Sequence, residues 1–149
     1  MHLFNHEEKL IKYNSIYEII DDFFEHRLSI YDIRKQHQLK VLENLLSVLE
    51  NKYKYILEVL EGSIDLRKKT STQIDELLYK KQYIKQNDTY HYLIRLPMDS
   101  VNIENVEKLK KERDEIFKEL ETLKATTIQE LWCNEIKGFL IELEKWFKL

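Results

Sequence analysis

The chain has 149 residues, 43% apolar and 34% charged, with 24 basic and 27 acidic side chains mixed along its length for a formal net charge of −3. Two isolated glycines, Gly62 and Gly138, and one proline, Pro97, are too little punctuation for a fold of many tight turns, and they exclude a glycine-rich phosphate loop. The balanced charge gives no general attraction to nucleic acid or to an anionic membrane, so any DNA contact must be local.

Residues 1–14, with Leu3, Phe4, Leu10 and Ile11 but no helical stripe, read as an extended lead-in. Ser15 followed by Glu18 is a capping box, which predicts two reciprocal bonds and the start of a long helix. Apolar Ile16, Ile19, Ile20, Phe23, Phe24, Leu28 and Tyr31 recur at three- and four-residue steps, as one buried helix face requires. From Leu39 the stripe narrows to Leu39, Leu42, Leu46, Leu49, Tyr53, Ile56 and Leu60, a heptad seam. Gly62 predicts the helix end. At ~1.5 Å per residue the helix is about 70 Å long, far beyond the ~15 Å radius of a compact domain of this size, so part of it must project.

The heptad stops between Ser63 and Val101. A shorter amphipathic segment, Thr72 to Tyr83, is followed by Asn87 to Val101, where Tyr90, Tyr92, Leu93, Ile94, Leu96, Pro97 and Met98 crowd together. The heptad resumes in Val106, Leu109, Arg113, Ile116, Leu120 and Leu123, with Arg113 as its polar intruder. Two seams of roughly 30 Å each, one leaving and one returning, predict antiparallel partners. A second capping signal, Thr127 with Glu130, opens a last helix carrying Trp132, Phe139, Trp146 and Phe147; it is too apolar to stay bare, and residues 16–31 are its natural partner.

Material for catalysis is sparse. His2, His6, His26, His37 and His91 have no metal-ligand spacing, and the neighbours His6–Glu8 and His37–Glu43 read as ordinary solvated pairs. Cys133 is the only cysteine; it reads as a small apolar residue and suits a reducing compartment. No stretch reaches the roughly 20 apolar residues of a membrane span, and Met1 to Ile11 lacks a signal peptide's apolar region. Glu25, Arg27, Asp32, Arg34, Lys35 and His37 form the densest polar cluster, opposite the apolar face. It reads either as a solvated face of charge pairs or as a patch touching a nucleic acid backbone. Lys108, Lys110, Lys111 and Arg113 read as stalk surface.

The run FFEHRLSIYDIRK, Phe23 to Lys35, resembles the segment after the DNA gate in eukaryotic-type type IIA DNA topoisomerases. MHLFN, with Ile11, Lys12 and Tyr13, resembles the strand and connector entering that helix, and YLIRLPM, Tyr92 to Met98, the exit-gate segment. Leu120 to Leu143 resembles the closing stretch through its Thr-Leu-Lys, Leu-Trp and Phe-x-x-Glu-Leu elements. The matches fall in family order and cover nearly the whole chain.

That resemblance implies an all-α arm, a long antiparallel coiled-coil hairpin with a small helical head and a helical base. Its parts would be a lead-in (1–14), a base (15–38 and 126–149), a stalk (39–62 and 102–125) and a dimerisation head (63–101). It implies a homodimer through the head, carried by Tyr90, Tyr92, Leu93, Ile94, Leu96 and Met98, although the same residues could instead pack the head internally. Double-stranded DNA would pass the enclosed cavity with at most weak contact. It further implies a longer ATP- and Mg²⁺-using parent in which Met1 is internal. No catalytic, metal or cofactor-binding residue, membrane or small-molecule substrate is expected for this chain, since it has no Arg-Tyr dipeptide and no acidic metal cluster. The parent would act in a nucleus, or in the host cytoplasm for a cytoplasmic DNA virus. The rival reading is a generic coiled-coil adaptor or chromosome-organising hairpin; a small helical enzyme is disfavoured by the missing site.

Overall fold

A computed structural model describes residues 1–67, 69–97 and 101–147; Met98 lies outside them. The chain is predominantly helical, with one addition to the all-α expectation. Its first residues are extended but pair with themselves, β1 (His2–Phe4) antiparallel to β2 (Leu10–Lys12), with Leu3 opposite Ile11. Asn5 closes the hairpin: its side-chain oxygen accepts from the backbone N–H of Glu7 and Lys9 at 3.1 and 2.9 Å, and Glu8 turns the chain at φ +61°.

Helix α1 runs from Ile16 to Leu60. Ser15 Oγ accepts from the Glu18 N–H as expected, but the Glu18 carboxylate reaches one residue further back, to the Asn14 N–H at 2.8 Å. Gly62 ends the helix at φ +75°, a left-handed conformation in which its N–H bonds the Val59 carbonyl. Helix α2 (Ser71–Lys80) has a complete capping box from Thr70 and Gln73. A single-turn α3 (His91–Ile94) precedes α4 (Ile103–Ala125). Helix α5 (Ile128–Phe147) opens on the Thr127–Glu130 box, with both reciprocal bonds made, at 2.8 and 3.2 Å.

The chain divides into two compact units, one of residues Met1–Lys40 with Thr122–Leu149 and one of Val41–Glu121. In the second, Tyr55, Ile56, Ile64, Leu78, Tyr83, Tyr90 and Leu93 form a closed core, with Val106 and Leu109 packed against it. Arg113, the polar member of the returning seam, lies 5.3 Å over the Tyr53 ring. Tyr53 of α1 thus meets Arg113 of α4, and the core that holds Tyr55 and Ile56 meets Val106 and Leu109 nearer the start of α4, the order expected of antiparallel helices. Of the stalk seam here, Leu49, Ile56 and Leu120 are buried, and Leu42, Leu46, Tyr53, Val106, Leu109 and Ile116 half-buried. Leu60 is the exception, 44% exposed: it is the last helical residue before the turn.

In the first unit Leu39 and Leu123 are half-buried. Phe24 and Tyr31 of α1 stack on Trp132 of α5, ring centres 5.0 and 5.5 Å apart. The ring contacts of α5 with α1 lie at this end, and Leu143 further along is half-buried. Ile136, Phe139, Leu140, Trp146 and Phe147 are exposed, as are Ile16, Ile20 and Phe23. Two facing helices can bury only the stripe where they meet, and α5 carries apolar residues round more than that stripe.

Candidate functional site

The head is assembled on the last turns of α1, where Asn51, Lys54 and Glu58 follow at helical spacing and all hold the segment after α2. Asn51, 8% exposed, donates its amide N–H to the Ser47 carbonyl, and its side-chain oxygen accepts from the Ile84 N–H at 3.4 Å. Lys54 donates to the Lys81 carbonyl at 2.7 Å and lies 4.7 Å over the Tyr83 ring. Glu58 accepts from Lys81 Nζ at 2.9 Å and from the Tyr83 hydroxyl at 3.0 Å. Burial alone would push the Glu58 carboxyl up; the bonds from Lys81 and Tyr83 outweigh it and leave it below the usual range. Burial, followed by the bond to Glu58, drives the Tyr83 hydroxyl strongly upward. Gln82, at φ +61°, turns the chain between these bonds.

Asn87 and Asp88 both have positive φ, and Gln86 pairs with Thr89 across them. This is a tight two-residue turn of the type that asparagine and aspartate tolerate. It delivers Tyr90 and α3 back to the core. Tyr90 and Leu93, expected either at a dimer contact or inside the head, are in its interior, 1% and 0% exposed. The Tyr90 hydroxyl is buried with no hydrogen-bond partner among the described residues. Tyr92, Ile94 and Leu96 lean on the core yet keep part of their surface, and the Tyr92 hydroxyl donates to the Ile84 carbonyl at 2.6 Å. Sequence reading passed over Tyr79 and Ile84, which are 74% and 56% exposed. Tyr79 had a signal available: on α2 it is the large apolar residue off the stripe of half-buried Ile74 and buried Leu78.

The polar cluster near the start of α1 is not a solvated face throughout. The Tyr31 hydroxyl donates to Glu135 at 2.5 Å, Arg34 bonds both carboxylate oxygens of Glu135 at 3.0 and 2.7 Å, and Arg27 and Arg34 lie 5.2 and 5.5 Å from the Tyr31 ring. Lys35 donates to the carbonyls of Lys124 and Thr126. Long cationic side chains here reach round the helix to polar groups near α5, so the opposite-face reading is corrected for Arg27, Arg34 and Lys35. Glu25, Asp32 and His37 are exposed. The bonds from Arg34 and Tyr31 hold the Glu135 carboxyl below its usual range. Arg113 pairs with Asp114 at 2.6 Å, while Lys108, Lys110 and Lys111 are exposed. His6 stacks on His26, ring centres 4.1 Å apart. Among the described residues no three His, Cys, Asp or Glu side chains gather to hold a metal, and no helix is long and apolar enough to cross a membrane.

The family model for the DNA gyrase/topoisomerase IV A-subunit matches residues 1–137. DNA topoisomerase 2-alpha of Rattus norvegicus is 29% identical over 97% of this chain and 12% of its own length. DNA topoisomerase 2 of Acanthamoeba polyphaga mimivirus is 31% identical over 94% of this chain, again 12% of its own length. The crystal structure of the Plasmodium falciparum topoisomerase II DNA-binding, cleavage and re-ligation domain superposes with a TM-score of 0.85 at 27% identity, covering 99% of this chain and 24% of that one. The chain thus spans about an eighth of the curated relatives it matches.

Proposed function

The chain belongs to the DNA gyrase/topoisomerase IV A-subunit family, and on that premise we propose that it is the exit-gate dimerisation arm of an ATP-dependent type IIA DNA topoisomerase. The arm holds two subunits together through its head and opens to release a transported DNA duplex. The observation that carries the reading is the closed core of the 41–121 unit, where the head packs on antiparallel α1 and α4. A head that completes its own core can part from a second copy and close again without unfolding, as a reversible gate requires. The helices supply stiffness: about 20 residues span ~30 Å, enough to stand a head clear of a ~20 Å duplex.

Tyr92, Ile94 and Leu96 supply the head's contact, with Tyr90 and Leu93 supporting them from beneath, and Met98 continues the same segment. The ATP and Mg²⁺ that the family resemblance implies do not fit the described residues, which offer neither a phosphate-binding glycine loop nor a clustered metal-ligand set, so the chemistry of strand cleavage belongs to the rest of the parent. With relatives from animals and from a mimivirus, the parent acts in a nucleus or in a virus-infected cytoplasm. A generic coiled-coil adaptor would need the same seam but not a family match through residues 1–137.

Sedimentation equilibrium tests the reading. The 149-residue chain should dimerise, and Leu96→Glu, at a half-buried position, should shift it to monomer with its helical circular dichroism retained. A wild-type chain that stays monomeric at every concentration, or relaxation of supercoiled DNA by this chain with ATP, would refute it.

A further inference from the structure

Between α4 and α5 the chain leaves the helix for two residues only, Thr126 and Thr127. Nothing local obliges the break, because the glycines and the proline, Gly62, Gly138 and Pro97, all lie elsewhere, and threonine lowers helix propensity only modestly. A break leaves backbone groups at both new helix ends without helical partners, so side chains must meet them. Thr127 and Glu130 serve the start of α5, and the Thr126 hydroxyl donates to the Thr122 carbonyl at 2.7 Å. The remaining donor comes from another helix. Lys35 of α1, half-buried, gives its ammonium to the carbonyls of Lys124 at 3.3 Å and Thr126 at 2.6 Å, where the dipole of α4 also favours a cation.

The break sets the phase of everything after it. At about 3.6 residues per turn, an unbroken helix would place Trp132 about two and a half turns past the half-buried seam residue Leu123, on the opposite side of the helix. Instead Trp132 stacks on Phe24 and Tyr31 of α1, and Glu135 meets Tyr31 and Arg34. We propose that Thr126–Thr127 is a joint with two settings, and that Lys35 is the positioning residue that holds it in the broken one, with Trp132 against α1. In the other setting α4 and α5 run on as one helix. The Lys124 and Thr126 carbonyls then accept from the backbone N–H groups of Ile128 and Glu130 and no longer need Lys35, and Trp132 turns away from α1. Both settings satisfy the same carbonyls with different donors, which keeps them close in free energy. Because Phe139, Leu140 and Phe147 of α5 are exposed, the joint decides which way that apolar face points. It lies wholly within the unit of residues Met1–Lys40 and Thr122–Leu149, so its settings do not depend on where the dimer contact lies.

Two readouts test the joint. Trp146→Phe leaves Trp132 as the chain's only tryptophan, so its fluorescence reports the stack on α1, while the Cα chemical shifts of Thr126 and Thr127 report whether the backbone there is helical. In that background Lys35→Met, which keeps the length of the side chain without its donors, should move both threonines to helical shifts and Trp132 emission to longer wavelength. The ratio of the two settings should change roughly 5–30-fold, the worth of one or two hydrogen bonds. Thr127→Ala, which removes the cap of α5, should act in the same direction, and Lys35→Arg should keep the wild-type signals. Unchanged threonine shifts and unchanged emission in Lys35→Met would overturn the proposal. So would a loss of helical circular dichroism in that variant, since it would show α5 unravelling instead of continuing α4.

Discussion

The two compact units bury their apolar residues to very different extents. In the 41–121 unit, seven residues from α1, α2, α3 and the connecting turns close into one core, two of them, Leu78 and Leu93, with no measurable exposure. In the other unit, α5 has no buried residue; it is held through Trp132 and the Tyr31–Arg34–Glu135 cluster while Phe139, Trp146 and Phe147 face solvent. One unit is stabilised from inside and the other at its surface. The exit-gate proposal asks for such a difference: a head that parts from its copy has to be complete alone, whereas the bare face of α5 is available to pack against another surface.

The contrast breaks most sharply under truncation. Leu78→Ala or Leu93→Ala should cost about 2–5 kcal/mol in urea unfolding, because each vacates a fully enclosed site. Phe139→Ala on α5 should change stability by less than ~0.5 kcal/mol; an equal loss at both sites would erase the distinction. Within the head itself, two buried tyrosines should behave oppositely. Tyr83→Phe removes a bond to Glu58 and should cost about 1–2 kcal/mol, while Tyr90→Phe removes a hydroxyl with no partner among the described residues and should be neutral or stabilising. Thermal midpoints of the two variants, measured side by side, decide this.

Acid titration sharpens the same comparison. The Glu58 carboxyl is lowered in the folded chain, so its contribution is present above the ordinary glutamate value of about 4.3 and is lost as pH falls through the lower folded value. Glu58→Gln should flatten that part of the stability profile of the head. The smallest effect is expected at the surface cluster of the base. Arg34 and Glu135 are nearly half exposed, so Glu135→Gln should cost no more than ~1 kcal/mol, shrinking further in high salt.

Legibility in the sequence followed periodicity. The heptad positions from Leu39 to Ile56 and from Val106 to Leu123 are buried or half-buried, a periodicity legible because a heptad repeats the same physical demand many times, and Gly62 and Thr127 marked helix ends by chemistry with few alternatives. The β-hairpin could not be read that way: its three-residue strands are exposed on both faces and show no alternation. In the head, α3 is one turn long, too short for a period to say which side is buried, so Tyr90 and Leu93 could not be told from Tyr92 and Leu96. The Thr70–Gln73 box was legible by the same chemistry as Thr127–Glu130 and went unread. For α5, pattern showed that an apolar face exists but carried no information on how much of it α1 covers.

Cysteine cross-linking tests most directly where the dimer contact lies. On a Cys133→Ser background, which removes the chain's only thiol, Leu96→Cys and Phe139→Cys each place one reactive group, in the head or on the bare face of α5. Mild oxidation should give covalent dimer from Leu96→Cys and monomer from Phe139→Cys. Covalent dimer through Phe139→Cys alone would place the contact between subunits at the base and contradict the exit-gate assignment.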